Sequence, residues 1–122
     1  MKKVEAIIRP ERLQMVQDTL DQLGVSGLTV TEVVGCGRQK GYTEQYRGAR
    51  ANISLLHKIK VEAVVPSDLV ESAVEAIVQG ARTGEEGDGR VFVIPIDESI
   101  RIRTGERGEE SVRHETPAGW GH

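Results

Sequence analysis

Apolar residues alternate with polar ones along Lys3-Val4-Glu5-Ala6-Ile7-Ile8, which predicts a strand with one face turned to a core. Pro10 follows, at a position where a helix can start without the missing N–H being felt. Leu13, Val16, Leu20 and Leu23 then recur at i, i+3, i+7 and i+10, one apolar stripe on a helix from about Pro10 to Leu23 that Gly24 can end. Leu28 to Val34 is predicted as the second strand. Further on, Lys60-Val61-Glu62-Ala63-Val64-Val65 nearly repeats the first strand, Pro66 answers Pro10, Leu69 answers Leu13 after one deletion, and Gly84 falls near the place of Gly27. The pairs Leu69/Val70, Ala73/Val74 and Ile77/Val78 return every four residues, the mark of a buried helix face. Arg90 to Ile96 closes the second half as a strand, with Pro95 suited to an edge or an end.

Two such halves in series predict an α+β fold of ferredoxin-like, double βαβ type: a four-stranded antiparallel sheet with two helices on one face. An open α/β sheet would need more alternating helices than the chain supplies. Between the halves, Gly35 to Arg50 holds four glycines, two tyrosines and four cations and almost nothing able to enter a core. About twenty residues of that kind inside a small domain are a loop that binds something.

Composition narrows the classes. The chain has 122 residues, 38% of them hydrophobic and only 3% aromatic, so a single domain must fill its core with Val, Ile, Leu and Ala. No apolar run approaches the roughly 18 residues of a membrane span, and the N-terminus has no apolar signal-peptide region, which implies a cytoplasmic protein. A formal net charge of −3 argues against bulk affinity for nucleic acid or anionic lipid, so any anion site must come from locally clustered cations. The single cysteine, Cys36, excludes an internal disulfide and a cysteine metal cluster; it reads as a reactive thiol beside Arg38 or, more simply, as a small residue between glycines.

Thr83-Gly84-Glu85-Glu86-Gly87-Asp88-Gly89-Arg90 precedes the last strand. Its glycines let backbone N–H groups approach a phosphate, and Arg90, Arg101, Arg103 and Arg38 could add forked hydrogen bonds. In Ser99-Ile100-Arg101-Ile102-Arg103 the two arginines share a face if the segment is extended. Taken alone, a glycine-rich turn before an arginine is more often only a turn, and neither dinucleotide-binding nor P-loop spacing occurs. Glu85, Glu86 and Asp88 fit no hydrolase pair, and His57, His114 and His122 are too scattered for a metal or a triad. An RNA-binding sheet would need stacking aromatics, and Phe92 is alone.

Several runs together resemble the PII nitrogen-regulatory signalling proteins: Thr29-Val30-Thr31-Glu32-Val33, Gly37-Arg38-Gln39-Lys40-Gly41, Tyr46-Arg47-Gly48, Thr83-Gly84 with Gly87-Asp88-Gly89, and Arg101-Ile102-Arg103-Thr104-Gly105-Glu106. The resemblance covers residues 1–106 and implies a PII-type domain there, with a T-loop at about 36–56, a B-loop at about 82–90, a C-loop at about 101–106 and a flexible tail over 107–122. It implies a homotrimer that binds ATP or ADP in clefts between subunits. Mg²⁺-ATP and 2-oxoglutarate bind together, and the T-loop responds by engaging or releasing targets.

Carried over residue by residue, the resemblance assigns the adenine and ribose surroundings to Ile7, Gly27, Thr29, Gly35, Gly37 and Val64. It assigns phosphate contacts to Arg38, Gly87, Asp88, Gly89, Arg90, Arg101 and Arg103. Gln39 would ligate Mg²⁺ and touch 2-oxoglutarate; Lys40, Gly41 and Lys58 would complete that ligand's pocket. An amide oxygen suits a hard cation that keeps phosphate ligands, and a lysine suits a carboxylate. Tyr46 and Arg47 would face a partner, an ammonium channel or a nitrogen-metabolism enzyme or regulator, so contact with a membrane is only indirect.

Departures from the family pattern are Ala51 and Ala49 at the usual sites of uridylylation and phosphorylation, Arg90 for a lysine, and His57 where proline is common. The expectation is a non-enzymatic sensor. The alternatives are a PII-like sensor of a different metabolite, for instance in carbon uptake, and a slow ATPase using Gln39, Mg²⁺ and the arginines.

Overall fold

The computed structural model describes residues 1–25, 27–38 and 53–113, with only the backbone for residues 37, 38, 53 and 54. Strands β1 (Lys2–Ile8), β2 (Thr29–Arg38), β3 (Ile53–Val65) and β4 (Arg90–Pro95) form one antiparallel sheet in the order β2-β3-β1-β4. Helices α1 (Leu13–Asp21) and α2 (Val70–Ala81) connect β1 to β2 and β3 to β4. This is the expected ferredoxin-like arrangement.

Strand pairing follows from the hydrophobic alternation. Val4, Ala6 and Ile8 lie opposite Ala63, Val61 and Ile59, and all six are buried with Val16 and Leu20 of α1 and Ala73, Ala76 and Ile77 of α2. A slip of one residue would turn that set to the open face. On the open face stand Lys3, Glu5 and Ile7, opposite Val64, Glu62 and Lys60. Pro95 sits at the end of edge strand β4, where its lack of an N–H breaks no interior ladder.

Each helix starts with a 3-10 turn, Pro10–Arg12 and Ser67–Leu69, so the regular α-helix begins at Leu13 rather than at Pro10. Gly24, at φ +82, donates its N–H to Asp21 and ends α1, as the sequence predicts. The helices approach closely at Gly80: an added Cβ would lie 2.9 Å from the Val16 Cα. Thr19 fills the crossing by donating its hydroxyl to the Ala76 carbonyl at 2.8 Å. No helix among the described residues is long and apolar enough to cross a membrane.

Three expectations are corrected. The second strand runs to Arg38 instead of Val34 and the third begins at Ile53 instead of Lys60. Interstrand pairing continues through Gly37↔Ser54 and Arg38↔Ile53, because backbone hydrogen bonds need no core-forming side chain. Both ends of the expected loop at 36–56 are therefore a two-stranded ribbon, and it leaves the sheet where β1 stops pairing, at Ile8↔Ile59. Secondly, Arg101 and Arg103 are not on an extended face. The Arg101 and Gly105 backbones close a turn, with the Gly105 N–H to the Arg101 carbonyl at 2.7 Å and the Arg101 N–H to the Glu106 carbonyl at 2.8 Å.

Finally, the fold continues past residue 106. Ile100 bridges Arg107, and Gly108–Val112 form a 3-10 turn because Glu109 and Ser111 find polar partners on Ser67 and Ser99.

Candidate functional site

The residues assigned from the sequence fall into two groups at opposite ends of the open face. At one end, Lys58 of β3, Ile7 of β1 and Arg90 at the start of β4 surround the loop 82–89. Ile7 pairs with Lys60 on one side and with Arg90 on the other. The loop is tied together by Asp88, whose carboxylate accepts from the Thr83 N–H at 2.8 Å, the Thr83 hydroxyl at 2.5 Å, the Gly84 N–H at 2.9 Å and the Arg9 Nε at 3.0 Å. The Thr83 hydroxyl above all, then its N–H, Arg9 and the Gly84 N–H, hold this carboxyl well below the usual carboxylate range. Its oxygens therefore organise the loop, and the neighbouring backbone is what the loop can offer to an anion.

Two cations pin the loop to the sheet. Lys58 donates from Nζ to the Gly87 carbonyl at 2.6 Å, and Arg9 donates from Nη2 to the Glu86 carbonyl at 2.6 Å. Gly89 has φ +103, and a Cβ there would fall 1.7 Å from the Ile7 carbonyl oxygen, so only glycine lets the loop reach β1 so closely. Gly35 and Gly37 lie on β2 opposite Leu56 and Ser54, at this same end.

At the other end is a cavity of about 850 Å³, lined among others by Gly27, Thr29, Val64 and Arg101. Lys3 and Glu62 also line it. Lys3 donates to the Glu62 carboxylate at 2.9 Å and lies 3.3 Å from Glu5, bridging two carboxylates that face each other across the β1–β3 ladder. The Glu62 hydrogen bond, then that of Glu5, raises the Lys3 pKa, and Lys3 lowers that of Glu62. The Arg101 guanidinium is engaged by the Glu106 carboxylate and by the carbonyls of Glu110 at 3.1 Å, Ser111 at 3.3 Å and Arg113 at 2.9 Å. Arg103 is exposed in the adjoining turn.

The structure thus brings Ile7, Lys58 and Gly87–Arg90 together, with Gly35 and Gly37 further along the ribbon at the same end, and separately Gly27, Thr29, Val64 and Arg101; one chain does not unite the two sets. Thr29 and Gly35 are six residues apart on β2, roughly 20 Å at about 3.3 Å per residue. Gln39, Lys40, Gly41, Tyr46, Arg47, Ala49 and Ala51 lie outside the described residues, as does the side chain of Arg38. Among the described residues, no group of three His, Cys, Asp or Glu side chains converges as a metal site.

Sequence reasoning missed Arg9 and Glu109. Arg9 left a signal: it is the one residue of Lys3–Pro10 without a counterpart in Lys60–Pro66, a cation inserted where the repeat does not need one. Glu109 left none, standing in a polar, glycine-bearing stretch that has no periodicity.

Comparison with known proteins adds the following. The family model described as nitrogen regulatory protein P-II matches residues 1–106. Nitrogen regulatory protein P-II of Cereibacter sphaeroides is 55% identical over 112 residues, which is 92% of this chain and 100% of the relative. The Escherichia coli K12 protein named nitrogen regulatory protein P-II 1 is 49% identical over the same shares of each chain. A crystal structure of Arabidopsis thaliana PII bound to citrate superposes with a TM-score of 0.76 at 41% identity, covering 95% of this chain and 93% of the other. The two bacterial relatives are named as regulatory proteins.

Proposed function

The chain belongs to the nitrogen regulatory protein P-II family, and from that premise we propose that it is a non-enzymatic sensor of ATP, ADP and 2-oxoglutarate that regulates nitrogen-metabolism targets. The observation that carries this reading is the division of the ligand residues into two half-sites. A separation of roughly 20 Å is too long for one mononucleotide to bridge. The site becomes whole when the Gly87–Arg90 loop of one copy meets the cavity at Gly27, Thr29 and Val64 of the next, as in a homotrimer with three equivalent clefts. Apolar side chains left uncovered in the single chain, among them Leu55, Phe92, Val93 and Ile102, suit such an assembly.

In that cleft the backbone N–H groups of Gly87 and Gly89 and the guanidinium groups of Arg38, Arg90, Arg101 and Arg103 receive the phosphates. Lys58 receives the distal carboxylate of 2-oxoglutarate, exchanging the Gly87 carbonyl for a full negative charge. Gln39, next to the end of β2, offers one amide oxygen, which fits Mg²⁺ held mainly by phosphate oxygens. Binding alters the ribbon and the loop beyond it only as far as one loop state binds the ligands better than another. Tyr46 and Arg47 then present or withdraw the surface read by a partner, an ammonium channel or a nitrogen-metabolism enzyme.

Calorimetric titration of 2-oxoglutarate into the Mg²⁺-ATP-loaded protein tests this. Binding should occur with ATP, be lost with ADP, and be lost in Lys58→Ala. Heat of binding that persists in Lys58→Ala, or none with ATP bound, refutes the 2-oxoglutarate assignment.

A further inference from the structure

The segment after Glu106 runs as a strap beside the cavity. It is fixed to Ser99 by the Gly108 N–H at 3.0 Å and the Ser111 hydroxyl at 2.8 Å, and it is held at two further points. One is Glu109, which accepts from the Ser67 N–H and hydroxyl, both at 2.8 Å, and from the terminal ammonium of Met1 at 2.7 Å. The other is Arg101, whose Nη2 alone serves the carbonyls of Glu110, Ser111 and Arg113. Ser111, Val112 and Arg113 are themselves part of the cavity wall. The cavity and the strap therefore share one guanidinium, and its Nη2 edge is turned toward neutral carbonyls.

We propose that a nucleotide polyphosphate in the cavity takes Arg101 from the strap, so that nucleotide binding loosens residues 110–113. The inference rests on the reading above that Arg101 meets phosphate. Phosphate oxygens carry charge, which makes them stronger partners for Nη2 than peptide carbonyls, while Nη1 stays with the Glu106 carboxylate. Once Nη2 has turned, the first part of the strap keeps the Glu109 clasp and its bonds to Ser99, while its end keeps only the Arg113–Asp68 pair at 3.2 Å as a tie to the rest of the fold, an exposed ion pair of small worth. Strap docking and nucleotide binding are then negatively coupled, and each must weaken the other by the same factor.

Hydrogen–deuterium exchange on the full chain, with calorimetry to establish saturation, tests the coupling with ADP, adenosine and buffer alone. Saturating ADP should speed exchange at residues 110–113 by about tenfold or more, the scale of local opening when an anchor is lost. Adenosine, which lacks phosphate, should leave those residues unchanged. Glu109→Gln should speed exchange without ligand and raise ADP affinity by the same factor. Unchanged or slower exchange at ADP saturation overturns the proposal while leaving the nucleotide reading intact, and release by adenosine overturns the exchange of partners at Arg101. If calorimetry shows that ADP does not bind, the nucleotide reading falls and the strap proposal falls with it.

Discussion

Replacing Gly89 by alanine tests whether the loop before β4 is an anion site. The new Cβ would lie 1.7 Å from the Ile7 carbonyl oxygen, where ordinary contact begins near 3.4 Å, so the backbone must back away by about 1.7 Å. The obstacle is main chain in the central strand pair β1–β3, which cannot yield, so the exposed loop moves. Positive φ adds roughly 1–2 kcal/mol of strain for a residue with a Cβ. A shift of this size misplaces the Gly87 and Gly89 N–H groups, and a hydrogen bond to a charged group is worth about 1.5–3 kcal/mol. Losing one such bond raises the ATP dissociation constant roughly 10- to 150-fold. Gly84→Ala is the control, because Gly84 also has positive φ but nothing within 4 Å of the added carbon. Calorimetry of ATP binding should rank wild type first, Gly84→Ala next and Gly89→Ala far behind. Equal affinity in wild type and Gly89→Ala refutes the placement of phosphate at this loop.

Gly80→Ala sets two effects against each other. Alanine in a helix gains about 0.5–1 kcal/mol over glycine, but overpacking against the Val16 backbone costs about 1–3 kcal/mol, so urea denaturation should show a net loss of about 1 kcal/mol; a stabilised variant would mean that the helices slide apart freely. Strap docking should depend on pH through Glu109, whose pKa is lowered to about 2 from an ordinary 4.5 by the Met1 ammonium first and then by the N–H and hydroxyl of Ser67. A lowered folded-state pKa means that the contribution is complete above about 4.5 and is lost as pH falls toward about 2. The Ser67 amide resonance should accordingly titrate near 2, and a midpoint near 4.5 would show that Glu109 does not clasp it.

The fold was legible because its signals are periodic. Val4, Ala6 and Ile8 alternate, Leu13, Val16 and Leu20 keep helical spacing, and the near-copy at Lys60–Val65 announces the second half before any packing is known. The ribbon was not legible, since Gly35, Cys36 and Gly37 carry no strand propensity; their pairing with Leu56, Leu55 and Ser54 satisfies the backbone, which composition does not record. At the site, the PII resemblance singled out Lys58, Gly87–Arg90 and Arg101. It did not reveal that Asp88 turns back into its own loop, that Arg9 helps to hold it, or that Arg101 is bound to a segment read as tail. Those facts depend on contacts between residues 79 and 77 positions apart for Arg9 and on carbonyls that any sequence would supply.

The geometry also decides where a bound ligand can act on the rest of the chain. From Ile59 to Val65, β3 pairs with β1 on one edge, and from Ile53 to Glu62 it pairs with β2 on the other. The stretch Ile59–Glu62 is held on both edges and cannot bend without breaking two ladders. Ile53–Lys58 is held by β2 alone, so the ribbon can swing as a unit about the last doubly paired residue. Lys58 stands next to that point, and its bond to the Gly87 carbonyl ties the base of the ribbon to the loop before β4. Whatever takes the place of that carbonyl on Lys58 therefore acts beside the point where the ribbon leaves the doubly paired sheet.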